Sequence, residues 1–254
     1  MTDLTPESAA PEVTTELPED CPRCGKPLPL CVCQDIQPID NKIALLILQH
    51  PQEQDKALGT ARLTALHFKK AVFKTGLSWP SLSKALGRTA DPHKWATLYL
   101  GSADPALLAP GRELVALDAK GKLLPMQDTA LAGIEGVIVL DGTWTQAKTL
   151  WWRNAWLLKS RRVVLGPKQP SLYGKLRREP RREALSTLES VGILLSRLEN
   201  KPETEMALIR TFRTLLQRYR EHPPEPRTAP PARGRPASRQ RRRPGGAVRG
   251  ARTP

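Results

Sequence analysis

A chain of 254 residues is long enough to bury the core of one or two domains. Its 40 Lys and Arg against 25 Asp and Glu leave a formal charge of +15, which favours a polyanionic partner, nucleic acid first. No apolar run approaches the roughly 18 residues of a membrane span, and acids stand where a signal peptide has basic residues, so a cytoplasmic protein with no membrane contact is expected.

The charge is unevenly spread. Residues 1–20 hold six acids and no Lys or Arg, and residues 218–254 hold eleven Arg and two Glu. The ends carry −6 and +9, which leaves +12 of the total +15 on residues 21–217. The body is therefore basic in its own right. Surface charge that only aids solubility is the plainer alternative to an RNA partner.

Residues 1–20, rich in Pro, Glu, Thr and Ser, read as a disordered leader. Cys21, Cys24, Cys31 and Cys33 then fall within thirteen residues, as Cys-x2-Cys-x6-Cys-x-Cys. That is poor geometry for stapling a chain of this size but suits a closed, structural Zn site in a reducing compartment, assigned to residues 21–40. Gly25 permits the turn after the first pair. Free or redox-active cysteines are the alternative.

From residue 41 to 221 the pattern alternates. Strands are expected over Lys42–Leu48, Trp95–Leu100, Glu113–Leu117, Gly136–Leu140 and Arg162–Leu165. Helices are expected over roughly 54–69, 80–86, 104–109, 143–157, 187–199 and 203–221. Alternation of this kind predicts an α/β domain with a mostly parallel sheet, whose carboxyl edge is where ligands bind. Gly136-Val-Ile-Val-Leu140 reads as a buried strand running into Asp141-Gly142-Thr143-Trp144 at that edge. Asp141 and Thr143 are each placed to cap the next helix, which would be a purely structural role.

His50, beside Gln49 and Glu53 at the end of the first strand, is a candidate contact to substrate, and Arg62 on the following helix is a candidate to bind either a cofactor carboxylate or an RNA phosphate. A structural His and a surface Arg in an ion pair are the plainer readings. Lys175, Arg177 and Arg178 belong to a run dense in cations that suits phosphates, although such runs are commonly just solvated faces. Trp151, Trp152 and Trp156 lie at a spacing that suits core packing and also base stacking. Ser186-Thr-Leu-Glu189 is a capping box, and Pro202 suits the first position of the last helix. Residues 222–254 read as a disordered Arg- and Pro-rich tail able to bind phosphates without sequence preference. Walker, Gly-x-Gly-x-x-Gly and Gly-x-Ser-x-Gly motifs are absent.

Four ordered blocks resemble one known family. They are the Cys-rich knuckle, Leu48-Gln49-His50-Pro51-Gln-Glu53 with Thr60-Ala-Arg62-Leu63, Asp141-Gly142-Thr143-Trp144, and Leu176-Arg177-Arg178-Glu-Pro180 leading to Leu185-Ser186-Thr187-Leu188-Glu189. In this the chain resembles the DTW-domain family of tRNA-uridine aminocarboxypropyltransferases. That family is similar to the SPOUT class, so the resemblance implies a SPOUT-like fold that can be knotted. It also implies S-adenosylmethionine as co-substrate, tRNA as substrate and transfer of the 3-amino-3-carboxypropyl group to N3 of a uridine. The implied catalytic residues are Asp141, as base or as anchor for the cofactor's ammonium, with Thr143 and Trp144. The implied cofactor loops are Leu100-Gly101-Ser102, Leu140 with Asp141, Leu165-Gly166 and Ser186-Thr187. A methyltransferase on the same scaffold and a non-enzymatic zinc- and Arg-rich RNA-binding protein are the rival readings.

Overall fold

A computed structural model describes residues 20–98, 113–118, 120–166, 169–176 and 185–223. Its centre is a six-stranded sheet of β1 (Ala44–Gln49), β2 (Ala71–Thr75), β3 (Trp95–Leu98), β4 (Leu114–Leu117), β5 (Gly136–Asp141) and β6 (Arg161–Leu165). The spatial order is β2-β1-β5-β3-β6-β4, parallel throughout except for β4, which pairs antiparallel to β6. The helices are α1 (Ala61–Leu66), α2 (Leu82–Leu86), α3 (Gln127–Ala132), α4 (Trp144–Arg153), α5 (Thr187–Glu199) and α6 (Pro202–Glu221).

Alternation of side chains along each strand sends residues to opposite faces, and both faces here are apolar. Leu45, Ile47, Val137, Val139 and Val163 pack on one side with α1, α5, α6 and the cysteine-rich segment, including Leu63, Leu194, Phe212 and Val32. Leu46, Leu48, Ile138 and Leu140 pack on the other with Leu82 and Ala85 of α2, Leu150 of α4, and Trp156 and Leu157. The sheet is therefore buried between two layers, as a parallel sheet requires.

Strand order also locates a crevice. From β1 the chain passes to β2 on one side of it, whereas from β5, which adjoins β1, it passes to β6 on the opposite side. Crossovers that diverge from neighbouring strands leave a gap outside their carboxyl ends. By that rule the crevice belongs beyond the ends of β1 and β5, at the register partners Gln49 and Asp141.

Three expectations need correction. The helix expected over 54–69 is only α1, preceded by turns. Tertiary contacts claim the intervening carbonyls: Lys26 Nζ donates to Ala57 O and Gly59 O, and the Tyr173 hydroxyl donates to Leu58 O. The helix expected over 143–157 stops at Arg153 and resumes as a 3-10 turn over Ala155–Lys159. Buried Asn154 breaks it, its amide donating to Leu150 O and Leu77 O and accepting from Trp79 N. Strand β2 and helix α3 were not expected at all; β2 is a half-exposed edge whose apolar residues are diluted by Lys69, Lys70 and Lys74. The helix expected over 104–109 lies outside the described residues, as do residues 99 and 100 of the expected third strand.

His67, at the carboxyl end of α1, is only 2% exposed, and neither ring nitrogen meets a hydrogen-bond partner among the described residues. Burial pushes its pKa down from 6.5 to about 4. The unfolded chain takes up this proton below about pH 6.5 and the folded chain does not until about pH 4, so stability falls as pH drops through that window. The loss at the acid end is at most about 3 kcal/mol. Denaturant unfolding at pH 7 and pH 5 should show a smaller loss in His67→Leu than in the wild type; equal losses would mean the ring is paired.

Candidate active site

Asp141 ends β5 with its side chain half-buried. Its two carboxylate oxygens accept from different parts of the fold. Gln49 Nε2 on the neighbouring strand donates to Oδ2 at 3.0 Å, and Thr187 Oγ1 at the start of α5 donates to Oδ1 at 2.5 Å. The Asp141 carbonyl accepts the His50 N–H at 3.0 Å. Asp141 thus does not cap the next helix. Thr143 does, in a capping box in which Thr143 Oγ1 accepts from Gln146 N at 3.4 Å and Gln146 Oε1 accepts from Thr143 N at 2.6 Å. Separation of the two roles leaves the Asp141 carboxylate to Gln49 and Thr187 at the end of the strand.

Gly142 makes this turn possible. At φ +157° it lies where side chains are rarely found, and an added Cβ would sit 2.9 Å from Gln146 Cβ and 3.4 Å from His50 Cβ. Gln146 also donates to Gln52 Oε1 at 3.3 Å, tying the start of α4 to the 3-10 turn Pro51–Glu53. His50 caps that turn, its Nδ1 accepting from Gln52 N at 3.3 Å. His50 thus stands half-buried at the rim.

Ser186 and Glu189 form the expected capping box at the start of α5. Buried Glu189 does more than that, because Ser171 Oγ donates to Oε2 at 2.7 Å and Leu172 N to Oε1 at 2.8 Å. With the Tyr173 hydroxyl on Leu58 O, this clasps the segment around 171–176 against both α5 and the turn before α1. Lys175 projects from that segment, exposed.

The four cysteines converge as expected. Their sulfurs all lie within 4.8 Å of one another, and Cys21 and Cys33 are 3.9 Å apart. Four thiolates around a tetrahedral ion at 2.3 Å would sit about 3.8 Å apart. All four are free of disulfides, and three are buried. Burial pushes the Cys24 thiol up to about 11 and raises Cys33 as well. At Cys21 burial is outweighed by hydrogen bonds from the Cys24 and Arg23 backbone and from Cys31, which bring it to about 7. Clustered buried thiols of this kind fit a cation better than they fit one another.

Between this knuckle and the end of β1 lies a cleft of about 250 Å3, whose lining includes Gly25, Lys26, Gln49, Glu53, Lys56 and Arg62. Gln49 therefore faces both the cleft and Asp141. Lys26, only 3% exposed, bonds the Ala57 and Gly59 carbonyls at 2.6 Å each, and burial lowers its pKa to about 8. The exposed Arg62 guanidinium stacks over Phe73 at 5.6 Å, and Gly25, at φ +65°, leaves it room, since a Cβ there would meet Nη1 at 2.8 Å. Glu53 is paired with Lys56.

The DTW domain model matches residues 18–220, from just before the knuckle to the end of α6. The chain belongs to the DTW-domain family. As a DTW-domain protein it is similar to tRNA-uridine aminocarboxypropyltransferase 2 of Drosophila melanogaster, 30% identical over 201 residues, covering 78% of this chain and 73% of that protein. It is 27% identical to the proteins of the same name from Macaca fascicularis over 205 residues and Mus musculus over 207, each match covering 80% of this chain. In both the chain spans 64% of the relative's length. No solved structure matches.

Around the DTW signature the fold gathers Asp141, Thr143, Thr187, Ser186 and His50. Trp144 opens α4 half-buried, and the Leu140 side chain is in the core, so only its backbone can face a ligand. Leu165 and Gly166 end β6, separated from β5 by β3, with Gly166 N donating to Glu113 O. Leu100, Gly101, Ser102, Arg177 and Arg178 lie outside the described residues. Sequence reasoning missed Lys26 and the pairing of Gln49 with Asp141; the one signal for the latter was that both end buried strands. Thr143→Ala should cost about 1 kcal/mol of stability in denaturant unfolding through loss of the cap. Gly142→Ala should cost more than that; an equal or smaller cost would mean the turn relaxes freely.

Proposed function

We propose that this protein transfers the 3-amino-3-carboxypropyl group of S-adenosylmethionine to N3 of a uridine in tRNA, in the cytoplasm, releasing methylthioadenosine. The observation that carries this is the Asp141 carboxylate, held by Gln49 and Thr187 at the crevice between β1 and β5. The names of the relatives supply the reaction. The basic body suits the substrate.

When bound, S-adenosylmethionine supplies a sulfonium whose γ-carbon is open to attack. In this reading Asp141, held in place by Gln49 and Thr187, takes the imide proton of the uracil. Arg62, at the cleft that Gln49 shares, binds the cofactor's amino-acid carboxylate. The backbone groups of Leu140, Leu165, Gly166, Ser186 and Thr187, with Leu100, Gly101 and Ser102, hold the rest of the cofactor. Thr143 and Trp144 shape the wall beside it. His50, Lys175, Arg177 and Arg178 line the path of the RNA.

The fold is taken as SPOUT-like; insertion of β5 between β1 and β3, and of β6 between β3 and β4, supports that reading. Residues 21–40 form a structural zinc knuckle, 41–221 the catalytic domain, 1–20 an acidic leader and 222–254 an Arg- and Pro-rich basic tail. The zinc reading rests on the four convergent sulfurs.

Purified protein incubated with unmodified tRNA and carboxyl-labelled S-adenosylmethionine should put label into uridine and release methylthioadenosine. Methylated RNA without carboxyl label would overturn the reaction in favour of a methyltransferase. Asp141→Asn should lower kcat by about 100-fold or more with cofactor KM little changed; a raised KM with kcat intact would make Asp141 an anchor instead. Metal analysis should find one zinc per chain, lost in Cys24→Ser together with several degrees of thermal midpoint. A wild-type protein free of metal and equally stable would overturn the knuckle.

A further inference from the structure

The basic charge of the body has an address. Residues 56–90 contain seven Lys and Arg and no acid, and residues 143–178 contain nine and no acid. The remainder of residues 21–217 holds thirteen cations against seventeen acids. All of the net positive charge of the body therefore lies in these two stretches.

The fold joins them. The segment after β2 meets the end of α4, where Ser78 Oγ donates to Arg153 O, Trp79 N to Asn154 Oδ1, and Trp156 Nε1 to Trp79 O. Helix α2, helix α4 and the turn Ala155–Lys159 share one apolar layer against the sheet. Their outward residues include Lys84, Lys148, Arg153 and Lys159, and Arg88 follows α2 just past its cap, all exposed. In the adjoining turn Pro92–Lys94 the cap Asp91 accepts His93 N on Oδ1, while Glu135 is paired with Lys94 at 2.8 Å.

Within this face one side chain contradicts its chemistry. Of the six tryptophans, Trp95 and Trp156 are buried and Trp79, Trp144 and Trp151 half-buried, but Trp152 is 74% exposed. Thr145, Lys148 and Trp152 form one exposed stripe along α4 at helical spacing. The stripe starts beside the Asp141 crevice, and Trp152 lies about 12 Å along the axis from Trp144. A flat aromatic among cations with no acid suits an unpaired base flanked by phosphates.

We infer that the face of α2 and α4 is an RNA-docking surface on which Trp152 stacks against an unpaired base of the substrate while Lys148 and its neighbours hold the phosphates. This rests on the tRNA reading above and adds to it the place where the RNA lies.

The test measures binding of an unmodified tRNA transcript to the full chain by fluorescence anisotropy across a salt series, beside turnover at saturating tRNA. Trp152→Ala should weaken binding about tenfold and leave the salt slope unchanged, because stacking releases no counterions. Trp152→Phe should restore most of the affinity. Lys148→Ala should instead reduce the salt slope by about one. Turnover at saturating tRNA should be unchanged in Trp152→Ala. Wild-type affinity in Trp152→Ala would overturn the inference while leaving the enzymatic reading intact. A concentration-dependent dimer dissolved by Trp152→Ala, with RNA binding unaffected, would also overturn it, making the face a self-association surface. Failure of the wild type to bind or modify any tRNA would instead overturn the functional reading itself.

Discussion

A carboxylate at the end of a buried strand must be satisfied by donors that the fold brings to it, and Asp141 draws them from two distant parts of the chain. Gln49 lies 92 residues before it and Thr187 lies 46 after it. Neither donor is in place until β1 has paired with β5 and α5 has docked on the sheet. The site is therefore a readout of the assembled core rather than of any one loop. Burial of Gln49 at 4% exposure makes the bond costly to lose, because an unpaired amide there keeps its desolvation penalty.

The other contacts make the same economy visible on a larger scale. Lys26 reaches from the knuckle to the turn before α1, Tyr173 reaches the same turn from the far side, and Glu189 holds the segment that carries Tyr173. Three carbonyls in succession, of Ala57, Leu58 and Gly59, are thereby taken by side chains. A stretch with the periodicity of a helix becomes the wall of a cleft. The knuckle shares a hydrophobic cluster with β1 and α6, so metal binding there would brace the cleft as well as the knuckle itself.

What could be read from the sequence follows from whether the cause was local. The strand expected over Gly136–Leu140 and found one residue longer, the capping box at Ser186 and Glu189, the proline start of α6 and the convergence of the cysteines are each decided by a few adjacent residues. The end of α4 at Asn154 is not local: it depends on the backbone of residues 77 and 79 arriving beside it. The same holds for β2, which is a strand because β1 offers it a ladder, not because its own residues are strongly apolar. Asp141 shows both sides. Its place at the sheet edge was legible, but its partners were not, since nothing in the chain announces which strand will lie beside β5.

Strand β2 is also one of the two border strands of the sheet among the described residues. An uncovered row of backbone donors and acceptors invites pairing with another molecule, and proteins blunt such borders with lysine. Here Lys69 and Lys70 precede the strand and Lys74 stands exposed within it. Like charges brought edge to edge repel, so the border that would otherwise nucleate stacking of one copy on the next keeps copies apart in a crowded solution. Salt would weaken that repulsion.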